Sequence, residues 1–104
     1  MIQLETKTND GYSFLIKSKK GHTLLNSISF KSKIDFEATL AILHTLLKKT
    51  NVFERKTNHN GDFLFSLKNL NGGIIAHSQY YASEAGMENG IKYLRNHIDK
   101  LYHK

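Results

Sequence analysis

The chain has 104 residues and no cysteine, enough for one buried core and without the thiols for a disulfide framework, a thiolate metal site or a cysteine nucleophile. A formal charge of +6 and a pI near 9.6 attract anions in general, yet the basic residues are dispersed, with adjacent pairs only at Lys19-Lys20, Lys48-Lys49 and Arg55-Lys56. No apolar run approaches the roughly eighteen residues of a membrane span, and Met1-Ile2-Gln3-Leu4-Glu5 lacks the order of a secretory signal, so no membrane is expected and the expected location is the cytoplasm.

Taken in chain order, the pattern predicts a strand from Ile2 to Thr8 and, after Asp10-Gly11, a second from Tyr12 to Ser18, in which Tyr12, Phe14 and Ile16 alternate with Ser13, Leu15 and Lys17. That period of two is a half-buried strand, and Asp-Gly supplies the positive φ angles of a tight turn. Lys20-Gly21 turns the chain into a third strand, His22 to Ser29. Ser32 can cap a helix running from Lys33 to Lys49, whose apolar stripe is Phe36, Leu40, Leu43 and Leu47. The same series then returns: strands Val52 to Asn58, Asp62 to Asn69 and Gly73 to Tyr80, turns at Asn60-Gly61 and Asn71-Gly72, a cap at Ser83, and a helix from Glu84 to Tyr102. Its stripe is Met87, Ile91, Leu94 and Ile98, continued by Leu101.

Sliding the chain along itself by 51 positions explains the recurrence. Phe14 falls on Phe65, Lys17 on Lys68, Gly21 on Gly72, Ser27 on Ser78, Ser32 on Ser83, Glu37 on Glu88 and Leu43 on Leu94. Two units are too few for a solenoid. The expected architecture is a single α+β domain over 1–104, made of two tandem β-β-β-α repeats, 1–50 and 51–104, that form an antiparallel sheet with two helices packed on one face. Lys17 with Glu37 and Lys68 with Glu88 form the oppositely charged pair of positions kept in both repeats, and they are expected to bridge the second strand to the helix in each.

The second repeat reads Phe65-Ser66-Leu67-Lys68-Asn69-Leu70-Asn71-Gly72, then Ser78, Tyr81 and Ser83, then Ala85-Gly86-Met87-Glu88-Asn89-Gly90-Ile91. It resembles the YegP-like family of uncharacterised bacterial proteins, whose units carry F-x-L-K-A-x-N-G, S-x-x-Y-x-S and A-G-x-E-N-G-I. The resemblance implies the β-β-β-α fold and no established activity. The first repeat departs at Ile34-Asp35-Phe36-Glu37-Ala38-Thr39-Leu40, which lacks both glycines. Gly86 and Gly90 lie early in a helix, where glycine costs about 1 kcal/mol against alanine, so a close approach of helix to sheet is expected there.

No catalytic set emerges. The six histidines lack HxxxH or HExxH spacing, Ser27 and Ser78 lie in no G-x-S-x-G elbow, and the glycines do not form a phosphate loop. No cofactor and no enzymatic activity are expected. Ala38, Ile42 and Leu46 add an apolar flank to the first helix, which is either covered within the domain or forms a surface for a protein partner or a homodimer. The leading expectation is a non-enzymatic binding or interaction module. The alternative is a nucleic-acid binder, with sheet aromatics stacking bases and Lys17, Lys19, Lys20, Arg55 and Lys68 meeting phosphates.

Overall fold

A computed structural model describes residues 2–49 and 51–103, with side chains omitted for 100–103. Alternating apolar residues draw three strands into a meander: β1 (Ile2–Lys7), β2 (Ser13–Ser18) and β3 (Thr23–Ser27). Helix α1 (Lys33–Leu47) follows, then β4 (Phe53–Thr57), β5 (Phe63–Lys68), β6 (Ile74–His77) and α2 (Glu84–His97). The chain does not continue as helix to Tyr102. It tightens into one 3₁₀ turn, Ile98–Lys100, and ends in a short strand β7 (Leu101–His103). Leu101 therefore leaves the helical stripe at the backbone level, and its side chain lies outside the described residues.

One sheet holds all seven strands in the order β4-β5-β6-β3-β2-β1-β7. Six of them pair antiparallel, while β7 lies parallel to β1 with Ile2 opposite Leu101 and Leu4 opposite His103. The expected purely antiparallel sheet is corrected by this last strand. Beside β1 an open row of amides was available, and pairing satisfies groups that a longer helix would leave exposed. The two meanders meet where Asn26 opposes His77 and Ser27 opposes Ala76, with Ile28 N donating to Ile75 O at 2.9 Å.

The register slips by one residue between Ile16 and Lys17 and again between Leu67 and Lys68. These matching bulges turn two successive residues inward in each half, Leu24 with Leu25 and Ile75 with Ala76, all buried. Asp10 and Gly11 both take positive φ, as an Asp-Gly hairpin turn requires, whereas in Asn60-Gly61 only the glycine does. Asn58 accounts for the difference, because its Oδ1 accepts from Asn60 N and Asp62 N and holds a wider loop. Ser32 and Ser83 cap their helices by accepting from Asp35 N and Gly86 N.

The inward residues of the strands join Phe36, Leu43 and Leu47 of α1 and Met87, Ile91, Leu94 and Ile98 in one apolar cluster. Both helical stripes are buried, with Leu40 partly so. The glycines of α2 have a packing reason. A Cβ at Gly90 would stand 2.8 Å from Tyr81 Cζ and closer still to its hydroxyl oxygen. In the first half the equivalent pair is Phe30 and Thr39, and Phe30, with no hydroxyl, packs its ring against Phe36 instead. The Tyr81 hydroxyl is buried and has no hydrogen-bond partner among the described residues.

Two predictions follow from this packing. Leu43→Ala and Leu94→Ala each lower unfolding free energy by about 2–5 kcal/mol in urea titrations, against less than about 0.5 kcal/mol for Lys31→Ala on the surface. Gly90→Ala gains about 1 kcal/mol of helix propensity but overpacks against Tyr81 at a cost of about 1–3 kcal/mol. It is therefore net destabilising, and Tyr81→Phe in the same chain recovers part of the loss while changing stability by less than about 1 kcal/mol on its own.

Candidate functional site

Because strand side chains alternate, the aromatics expected to stack bases point at the helices. Phe14 and Phe65 are fully buried, and Tyr12 and Phe63 pack against the core. The opposite face carries a continuous row, Glu5, Leu15, Asn26, His77, Ser66 and Glu54, each beside the next in register. Among the described side chains this row carries no aromatic ring, so it gives no support to the base-stacking of the nucleic-acid reading. Ser66 is 0% exposed and its Oγ lies 2.9 Å from His77 Nδ1, so this hydroxyl is closed off from solvent. Ser27 and Ser78 play identical parts in the two halves. Each Oγ accepts from a β-strand amide, Phe14 N at 2.8 Å or Phe65 N at 2.9 Å, and donates to the next carbonyl, Ile28 O or Gln79 O.

The five cations expected to meet anions are spread over β2, the β2–β3 turn, β4 and β5. Lys17 lies on the open face and pairs with Glu5 at 3.3 Å, while Glu37 pairs with Lys33 on its own helix. Lys68 is half-buried beside Val52, Asn69 and Leu70. Glu88 is taken by Arg55, through Nε and through Nη2 at 3.1 Å. The expected Lys17–Glu37 and Lys68–Glu88 bridges are thus absent. Lys17 and Lys68 alternate with the buried Ile16 and Leu67, which turns them from the helices, and the bridge that does reach α2 comes from the edge strand. Lys19 and Lys20 are exposed at the β2–β3 turn.

The apolar flank of α1 divides. Leu46 is 1% exposed and belongs to the core, Ile42 is half-buried, and Ala38 is exposed. One turn before Ala38 stands Ile34, 81% exposed, a residue absent from the sequence-derived patch.

Charge and open backbone coincide elsewhere. Val52 O accepts from Lys68 N, and Asn58 N donates to Asp62 O. Alternation from these two bonds directs the amides of Glu54 and Lys56 to β5 and those of Phe53, Arg55 and Thr57 outward. At this edge β4 has no further strand among the described residues. Alongside, between β4, α2 and the end of α1, runs a groove of about 700 Å³, lined by Arg55, Glu88, Ile91, Lys92, Arg95 and Lys48 among others. Arg55 is held by Glu88, which pushes its guanidinium pKa further up, and Lys48 is held by Asp99. Among the described residues Arg95 reaches only a carbonyl, Lys48 O at 3.4 Å, and Lys92 is exposed with no ion pair. Sequence reading missed Lys92 and Arg95 because the residues 51 positions earlier are Ala41 and His44. Their signal was the spacing Glu88, Lys92, Arg95, a second stripe beside the apolar one.

The first half has the matching edge, and it is occupied. By strand register Leu4, Glu5 and Thr6 correspond to Phe53, Glu54 and Arg55, and β7 lies along β1. The segment leading into β7 anchors itself with Asp99, whose carboxylate meets Lys48 Nζ at 2.9 Å and His44 Nε2 at 2.8 Å. Hydrogen bonds from Lys48 and then His44 hold the Asp99 carboxyl below its ordinary value of 3.8. A carboxyl depressed in the fold contributes stability above its unfolded pKa and loses it as pH falls through the folded one. In a carbon-detected NMR titration Asp99 accordingly has its midpoint below 3.8, and Lys48→Ala moves that midpoint upward.

A family model for a domain of unknown function, DUF1508, matches residues 58–100. The UPF0339 protein YegP of Escherichia coli strain K12 is 34% identical over 90 residues, covering 86% of this chain and 82% of its own. A UPF0339 protein of Pseudomonas aeruginosa is 32% identical over 87 residues, covering 83% and 79%. The solution NMR structure of E. coli YegP, described as a protein of unknown function, superimposes with a TM-score of 0.83 at 30% identity over 99% of this chain and 89% of that one. A UPF0339 protein of Shewanella oneidensis gives 0.82 at 25% identity over 98% and 88%. None of these names carries a catalytic activity. With the motifs of both halves, the α+β fold and relatives of this coverage in agreement, the chain belongs to the UPF0339 family of bacterial YegP proteins, whose biochemical function is unknown.

Proposed function

We propose that this chain is a small non-enzymatic binding module of the cytoplasm that takes an extended protein segment along the outer edge of β4. The observation that carries the reading is the asymmetry of the two outer strands: β7, which covers β1, has 3 residues, and β4 has 5 and presents the outward amides of Phe53, Arg55 and Thr57 beside a groove. Strand addition to an exposed edge obtains affinity from main-chain hydrogen bonds and selectivity from alternate side chains. The proposal treats the chain as one domain built of two tandem β-β-β-α units. Matching bulges, serine bonds and helix caps support that view. It favours β4 over the flank of α1, since Leu46 is committed to the core.

The test is a pool of capped extended heptapeptides monitored by amide shifts and hydrogen exchange. A binder is expected to protect Phe53, Arg55 and Thr57. Thr57→Pro removes one outward donor without touching the bonds of Glu54 and Lys56 to β5, and it weakens binding roughly tenfold while β5 shifts stay in place. Binding that leaves β4 unperturbed, or no binding by any member of the pool, overturns the reading.

A further inference from the structure

We infer that the segment taken by β4 is acidic and runs parallel to it, its carboxylates entering the groove to meet Arg95 and Lys92. This rests on the strand-addition reading above and adds the chemistry and the direction of the occupant. The molecule holds its own precedent. Along β1 the chain's last strand lies parallel, and the residues that lead into it bring an acid, Asp99, to His44 and Lys48 of α1. Shifting by 51 carries His44 onto Arg95. The position that receives a carboxylate in the first half therefore carries a guanidinium in the second, and there it has only the Lys48 carbonyl to engage.

Charge in the groove points the same way. Of its four cations, Arg55 and Lys48 already hold carboxylates, and the groove's acid, Glu88, is spent on Arg55. Arg95 and Lys92 remain to receive anions, one turn apart on α2 and facing the space beside the β4 edge. A guanidinium is suited to a two-pronged carboxylate contact. A strand added to β4 sends alternate side chains to the helix side, where Ile91 forms an apolar floor. The other side chains pass over the open face near Glu54 and Lys56, which pair with each other at 3.4 Å and favour no charge.

Three capped heptapeptides decide the matter on the full chain: alternating aspartate and threonine, asparagine and threonine, and lysine and threonine. The acidic peptide is expected to shift Phe53, Arg55 and Thr57, to bind at least roughly tenfold tighter than the asparagine peptide, and to weaken with salt. Arg95→Ala and Lys92→Ala each cost roughly tenfold. Lys92 is the safeguard, since its side chain is exposed and its loss leaves the packing intact. A spin label at the peptide's first residue broadens Phe53 more than Thr57 if the strand is parallel. Equal binding of acidic and asparagine peptides, insensitivity to both substitutions, or stronger broadening at Thr57 overturns this inference and leaves strand addition standing. Failure of all three peptides, when the wider pool yields a β4 binder, also overturns it alone. Failure of the pool as well removes the strand-addition reading with it.

Discussion

The two halves of this chain are joined into one sheet by a short seam, Asn26 and Ser27 of β3 against Ala76 and His77 of β6, with one further amide bond from Ile28 to Ile75. Each half, three strands and a helix, is of a size at which the buried fraction of the surface is small and a shared core adds most. Once the seam closes, Leu25 and Ala76 lie in a common floor, and both helices bury their stripes in a single cluster. The seam also determines which strands become edges. With β3 and β6 joined at the seam, β4 becomes an outer strand and β1 the outer strand of its own meander, which β7 then covers, and everything proposed about recognition starts from that placement.

Much of the architecture was legible because local patterns agreed with each other. Period-two strands, serine caps and two helical stripes at the same spacing all pointed to one layered arrangement, and the buried Phe36, Leu43, Met87 and Leu94 lie where those patterns put them. The end of the chain was misread for a physical reason. Leu101 continues the spacing of Ile98 and Leu94, so a local reading extends the helix, while the competing partner, the outer edge of β1, exists only in the folded sheet. Tertiary pairing overrode periodicity.

The candidate site was less legible than the fold. A single shift of 51 aligns the second and third strands and the helices, but the register places β4 two residues differently, with Leu4 on Phe53 rather than on Arg55. Hence Arg55 had no visible counterpart, and its bond to Glu88 could not be foreseen. Lys17 was assigned to the helix side because it recurs with Glu37, although alternation with Ile16 already placed it on the other face. The groove draws on β4, α2 and the end of α1, and a surface assembled from three elements leaves no compact motif in the chain.

The parallel β7 has a further consequence for how copies of this molecule coexist. An edge like β4 on one copy and an edge like β1 on the next would be different surfaces, so their pairing would be a head-to-tail contact with nothing to close it, the geometry of an open filament. With β7 laid along β1, the β1 surface is consumed within each molecule, and the charged residues Glu54, Arg55 and Lys56 blunt the β4 edge against indiscriminate pairing. The sheet then ends in two unlike outer strands, β4 and a β7 of 3 residues, and an edge that short gives a neighbouring copy few backbone groups on which to extend.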